Sequence, residues 1–277
     1  MNADEIFVFN QLVDWIKSGE LRLQAYSPAT QKMLGRSDFN EDVAGLERMI
    51  MDDQALVVEV LRTANSPFYY AISNVTTVRN AIVRLGVPTV KRIVIMVLER
   101  SRYKSWFPDL NHILIDLWVH VSTTAMSAQW LSHRLRLTGI EEICFLGGLL
   151  HDVGNLAIIC AIDEMRKARH IGKSISAEVL EEFLADNHCR IGYEFMKRWE
   201  IPDIYCQIVR DHHKQEFATD NLPLVLVRLA NNCSILPGED ISISQLLETP
   251  EAQTLNIDET VLLELQKIIV THKTAAI

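Results

Sequence analysis

GGLLHDVGNLAI, residues 147–158, decides how this chain is read. The apolar run Phe145 to Leu150 leads into His151 and Asp152, and Gly154 follows. Such a run predicts a helix at the core, and the glycine predicts a helix break that leaves both polar side chains at the core edge. Burying them without partners is costly, so they must find each other or a metal. On these residues alone, a hydrogen-bonded pair holding helices in register and a pair of metal ligands both stay open.

Working outward, helical periodicity recurs from end to end and strand-like alternation is scarce, so the class is all-α. Ile6, Phe9, Leu12, Val13 and Ile16 form one stripe, and Ser27-Pro28 begins another helix. Val43, Leu46, Met49 and Ile50 mark a third; Asp53 caps a fourth, which ends at Asn-Ser-Pro, 65–67. Thr77 opens a helix closed by Gly86, and Pro88 starts the next. The stretch SRYKSWFPDLN, 101–111, interrupts the pattern. It predicts a boundary between an N-terminal helical lobe, 1–105, and a second lobe, 106–277. A long helix then runs to Gly139. Further helices are expected at 140–151, 154–169, 176–185, 187–199, 203–213, 222–235 and 258–272, with polar loops at 214–221 and 236–240. There is no internal repeat.

Composition sets bounds on function. With 27 Lys plus Arg against 36 Asp plus Glu, the net charge is −9, which argues against nucleic acid or anionic lipid as a partner of the whole chain. Arg84, Lys91, Arg92, Arg100, Arg102 and Lys104 read as a solvated basic face. The five cysteines, 144, 160, 189, 206 and 233, form no CxxC pair and read as small buried thiols. The opening MNADEIFVFNQL lacks the basic and apolar regions of a signal peptide, and apolar stretches such as Ile93 to Leu98 fall short of the ~20 residues of a membrane span. The expectation is a soluble cytoplasmic protein with no membrane partner.

No phosphate loop, GxSxG elbow or dinucleotide glycine fingerprint is present. Histidines stand out instead: His120 in LWVH, His151 with Asp152, His188 in ADNHCRIGYEF, and His212-His213 in IVRDHHKQ. Imidazoles with a carboxylate suit Fe, Mn, Zn or Ni better than Ca or Mg. His112, His133, His170 and His272 are expected at the surface.

GGLLHDVGNLAI, the upstream LWVH and the downstream NHCRIGYEFMKRWEIPDIYCQIVRDHH (187–213) together resemble the HDOD (HD-related output domain) family. So does the N-terminal stretch DDQALVVEVLRTANSPFYYAISNVTTVRNAIVRLGVPTVKRIVI, 52–95; the likeness spans roughly residues 20–235. It implies an all-helical scaffold related to HD phosphohydrolases and HD-GYP phosphodiesterases, in a bacterial signalling protein. His120, His151, Asp152, His188, His212 and His213 fall at metal-ligand positions of the catalytic relatives. Two positions depart. Asn231, in VRLANNCS, stands where those enzymes close the site with Asp, and Asn155 stands where HD-GYP enzymes carry Lys. The GYP motif is also absent after His213.

A neutral amide lacks the anionic charge that offsets a divalent cation, and Asn155 lacks the positive charge that would clamp a phosphate. The resemblance therefore favours a non-catalytic output module that works through a signalling protein partner. The alternative is a metal-dependent phosphohydrolase or phosphodiesterase taking a phosphate ester or nucleotide.

Overall fold

The computed structural model describes residues 9, 11–14, 43–66, 74–168, 175–234 and 242–276. The expectations for the helix after Ser27-Pro28, for His170 and for the loop at 236–240 lie outside these residues. Among the described residues every regular element is helical, as the periodicity requires.

The chain divides into two compact units, one of residues 26–102 and one of 1–25 with 103–277. The smaller unit contains α1 (Val43–Met51), α2 (Gln54–Ala64), α3 (Val78–Leu85) and α4 (Val87–Arg100). Its helix ends are written in local chemistry. The Asp53 carboxylate accepts from the Ala55 and Leu56 amides, the Thr77 hydroxyl accepts from Asn80, and Gly86 takes φ +79 between α3 and α4. Leu46, Ile50, Val60, Ala81 and Val94 are fully buried in it. Arg102 departs from the predicted solvated face. It is half-buried and pairs with buried Glu99 at 2.8 Å, an arrangement an i,i+3 spacing allows.

The larger unit is built on α5 (Pro108–Arg134), α6 (Glu141–Leu150), α7 (Val153–Lys167), α8 (Ala177–Arg198), α9 (Asp203–Asp211), α10 (Leu222–Ser234), α11 (Ile243–Leu247), α12 (Pro250–Thr254) and α13 (Glu259–Ala276). From the N-terminal segment, Phe9 stacks on Phe183 of α8 with ring centroids 3.9 Å apart. The stretch Glu141–Lys167 is long and apolar enough to cross a membrane by composition, but most of it is buried inside the protein.

Three boundaries differ from the sequence expectation. The long helix ends at Arg134, before Gly139, because Arg136 adopts φ +57 and the Leu137 amide closes back on the Ser132 carbonyl at 2.9 Å. The segments expected at 176–185 and 187–199 are one helix. Asn187, at the expected junction, donates its side-chain amide to the Phe183 carbonyl within α8. The short helices α11 and α12 were not expected; Ser242 with Gln245 forms a capping box for the first, and Thr249 caps the second ahead of Pro250.

Two close backbone approaches fix where α5 to α8 sit. A Cβ on Gly148 would stand 2.7 Å from the Ala125 Cα, so α6 lies directly against α5. A Cβ on Gly154 would overlap the His188 carbonyl and stand 2.9 Å from the Gly192 nitrogen, so α7 and α8 also meet backbone to backbone. Gly154 is inside α7, and the chain breaks two residues earlier, at His151 and Asp152.

Candidate metal centre

Asp152 occupies the break between α6 and α7, with φ −104 and ψ 19. Its side chain is buried, and four imidazole Nε2 atoms point at its two oxygens. Oδ2 lies 3.6 Å from both His120 and His151, and Oδ1 lies 3.4 Å from both His188 and His212. The Nε2 atoms of His120 and His151 are 3.2 Å apart, and those of His188 and His212 are 3.3 Å apart. His213 joins the second set, its ring centroid 4.3 Å from that of His212, and it is the exposed member.

Each ring is turned by its other nitrogen. His151 Nδ1 donates to the Gly148 carbonyl at 2.7 Å, His188 Nδ1 to the Leu184 carbonyl at 2.8 Å, and His212 Nδ1 to the Val209 carbonyl at 2.9 Å. His120 is hydrogen-bonded to the backbone of Ser234, at the end of α10. Tying Nδ1 to a carbonyl selects the tautomer whose Nε2 carries a lone pair, the arrangement that metal-binding histidines use.

The electrostatics follow from burial and crowding. Burial holds the His151 ring neutral, pushing its pKa down to about 3, and burial also lowers His120. Burial alone would raise the Asp152 carboxyl, but His151, His212 and His120 hold it well below the usual carboxylate range. Burial works against the protonated form of His212, yet Asp152 and Cys189 outweigh it and raise that ring to about 10. Even so, Asp152 Oδ1 has no hydrogen-bond partner among the described residues. A charge-assisted N–H···O bond runs to about 2.7–2.9 Å, and the 3.4 Å gap to His212 exceeds it.

Opposing Nε2 atoms, that of His212 once it gives up its proton, and a buried carboxylate oxygen with no partner among the described residues, gathered at 3.2–3.6 Å, fit a divalent cation that takes imidazole and carboxylate donors. The five expected histidines and Asp152 thus come together, in two sets that share Asp152. Asn231 is buried on α10, three residues before Ser234. The Asn155 side-chain oxygen is also buried with no hydrogen-bond partner among the described residues.

Sequence reasoning missed two neighbours. Arg228, buried on α10, donates to Glu251 at 2.6 Å and to the Asp211 and His212 carbonyls at 3.0 and 2.8 Å, and its guanidinium lies 3.9 Å from the Phe217 ring centroid. It caps the C-terminal carbonyls of α9 and so fixes His212. The signal was an arginine inside the apolar run LPLVLVRLANN. Cys189, read as a buried thiol, is half-buried with Sγ 3.3 Å from His188 Nε2. Among the other histidines, His112 and His133 are exposed as expected, but His272 is half-buried, its Nε2 3.3 Å from Ser122 Oγ, because α13 packs on α5.

Residues 29–215, more than half of the chain, match the HDOD domain family. This chain belongs to the HDOD domain family. The HDOD protein is 24% identical over 221 residues to an uncharacterised protein of Treponema pallidum (strain Nichols), covering 76% of this chain and 42% of the relative; it therefore spans less than half of that relative's length. Among solved structures, it is similar to an HDOD domain protein of unknown function from Geobacter sulfurreducens, with TM-score 0.75, 20% identity and 96% of each chain covered. It is also similar to a candidate metal-dependent phosphohydrolase of Shewanella amazonensis SB2B, with TM-score 0.66, 18% identity, and 98% of this chain and 100% of that chain covered. At these identities the structural likeness is one of fold, an all-helical HDOD fold.

Proposed function

We propose that this HDOD protein is a bacterial, cytoplasmic signalling output module that acts through contacts with a protein partner. In this reading the His/Asp cluster holds a divalent metal, among Fe, Mn, Zn and Ni, as an internal anchor for α5 to α9 and does not turn over phosphate esters. The observation that carries it is the composition of the two donor sets: they share Asp152 as their single carboxylate.

Asp152 presents Oδ2 toward His120 and His151 and Oδ1 toward His188 and His212, with His213 beside the latter pair. These are the residues that would hold the metal. A bound divalent metal supplies Lewis acidity and lowers the pKa of a bound water. The surrounding protein does little to turn that chemistry on a phosphate. Asn231 and Asn155 are neutral, so the first adds no anionic donor and the second no cationic clamp. What the cluster does well is join helices: its donors come from α5, the α6–α7 break, α8 and the end of α9.

A second reading, a metal-dependent phosphohydrolase or phosphodiesterase for a phosphate ester or nucleotide, is favoured by the retention of six ligand-type residues and by the description of the Shewanella amazonensis relative. The experiment that separates them assays wild type, His151→Ala and Asn231→Asp on phosphomonoesters, nucleotides and cyclic dinucleotides with Mn or Fe added. The output-module reading expects no turnover by wild type. Turnover in wild type that His151→Ala abolishes would replace it with the hydrolase. Activity confined to Asn231→Asp would mark a hydrolase scaffold disabled at that position.

A further inference from the structure

Cys189 follows His188 directly in α8, and its side chain lies beside the second donor set. The sulfur is 3.3 Å from His188 Nε2 and 4.0 Å from His212 Nε2, while those two nitrogens are 3.3 Å apart. Asp152 Oδ1, buried and with no hydrogen-bond partner among the described residues, is 3.4 Å from each nitrogen. Tetrahedral zinc, with Zn–N and Zn–O near 2.0–2.2 Å and Zn–S near 2.3 Å, sets neighbouring donors about 3.3–3.6 Å apart. The three separations among nitrogen and oxygen fall inside that range; of the two to sulfur, whose longer bond asks for about 3.5–3.7 Å, one is about 0.2 Å short and the other about 0.3 Å long.

We infer that Cys189 is a fourth ligand, which with Asp152, His188 and His212 makes a closed zinc site of two nitrogens, one oxygen and one sulfur. The inference rests on the metal-holding reading of Asp152. It also supplies what Asn231 does not. With both imidazoles neutral, carboxylate and thiolate together carry two negative charges, matching a divalent cation. A thiolate among the donors selects zinc over magnesium, calcium or manganese. Four protein ligands leave no open position for a reacting water, the pattern of structural rather than catalytic zinc. His213 is the competing fourth donor. Its ring is exposed, whereas Cys189 is half-buried between His188 and His212.

X-ray absorption at the zinc edge on the full chain loaded with zinc alone tests this, with Cys189→Ser and His213→Ala alongside. The expected wild-type spectrum contains a sulfur scatterer at about 2.3 Å beside nitrogen and oxygen at about 2.0–2.2 Å. The sulfur shell disappears in Cys189→Ser, persists in His213→Ala, and zinc affinity in Cys189→Ser drops by at least the roughly 10- to 100-fold that outer-shell substitutions cost. Cobalt substitution of wild type gives a sulfur-to-cobalt charge-transfer band by the same logic. Zinc bound with a nitrogen and oxygen shell only, or a sulfur shell unchanged in Cys189→Ser, overturns the inference and leaves the metal reading standing. A wild-type protein that takes up iron but no zinc overturns the inference alone, and one that takes up neither overturns both.

Discussion

Replacing Gly154 with alanine tests whether the α7–α8 contact sets the geometry of the centre. The new Cβ would overlap the His188 carbonyl oxygen and stand 2.7 Å from its carbon and 2.9 Å from the Gly192 nitrogen. Ordinary contact begins at 3.4 Å, so the carbon alone asks α8 to retreat by about 0.7 Å at His188 and the overlapped oxygen by about 1.5 Å, and no obstacle is a side chain that can rotate away. Alanine gains roughly 0.5–1 kcal/mol over glycine inside a helix, whereas overpacking against backbone costs roughly 1–3 kcal/mol or more. The expected net loss is about 1–2 kcal/mol, which lowers Tm by roughly 2–8 °C in a unit of this size. Metal binding suffers more. Ligand positions tolerate about 0.2 Å, and His188 carries one of the Nε2 donors, so zinc affinity should fall by more than about 100-fold. Gly147→Ala is the control. Its Cβ meets the Ile208 Cδ1 at 2.6 Å, the movable end of a flexible side chain, so it should keep its affinity within about tenfold. Competition titration with a chromogenic chelator, beside thermal melts, reads both quantities. If Gly154→Ala binds zinc as tightly as wild type, the helix contact does not position His188 and the reasoning fails.

Three further outcomes are expected. Arg228→Met leaves Glu251 buried without its partner and should cost about 3–5 kcal/mol by denaturant titration, while Arg228→Met with Glu251→Met should recover most of it; equal losses would show that the pair is not coupled. Metal uptake at pH 7.5 must displace the proton that Asp152 and Cys189 stabilise on His212, so calorimetry in buffers of different ionisation enthalpy should report release of about one proton; none released would mean that the ring is already neutral. Without metal, stability should fall between pH 6.5 and about 10. The His212 pKa is raised on folding, so its contribution is complete below the unfolded value and is lost as pH rises through the folded one. Below pH 6.5 stability should fall as well, because unfolded His151 takes up a proton that the folded ring, at about 3, refuses; a flat acid limb in urea titrations would contradict this.

How much of this was legible in the sequence depended on the range of the signal. Caps are local, so Asp53, Thr77 and Gly86 marked their helices correctly. The donor set was legible because histidines are scarce and chemically specific, and because His151-Asp152 ended an apolar run. The end of the long helix at Arg134 was not, since Arg136 takes a positive φ that usually goes to glycine. Gly154 read as a helix breaker, but its role is to let α8 approach, which depends on a partner 34 to 38 residues along the chain. Arg228 and Cys189 escaped for the same reason. Neither differs in type from a surface cation or a buried thiol until the fold sets Glu251 against one and His188 and His212 against the other.

The claim on which the rest depends is that Asp152 and its imidazoles hold a metal. Elemental analysis of the full chain, purified without chelator and set beside Asp152→Ala, tests it most directly. The account predicts a transition metal or zinc near one or more equivalents in wild type, its loss in Asp152→Ala, and a lower Tm for wild type after chelation, since a ligand that binds only the folded state stabilises it. Wild-type protein that is metal-free, takes up neither zinc nor iron on addition, and melts at the same temperature with and without chelator would contradict it.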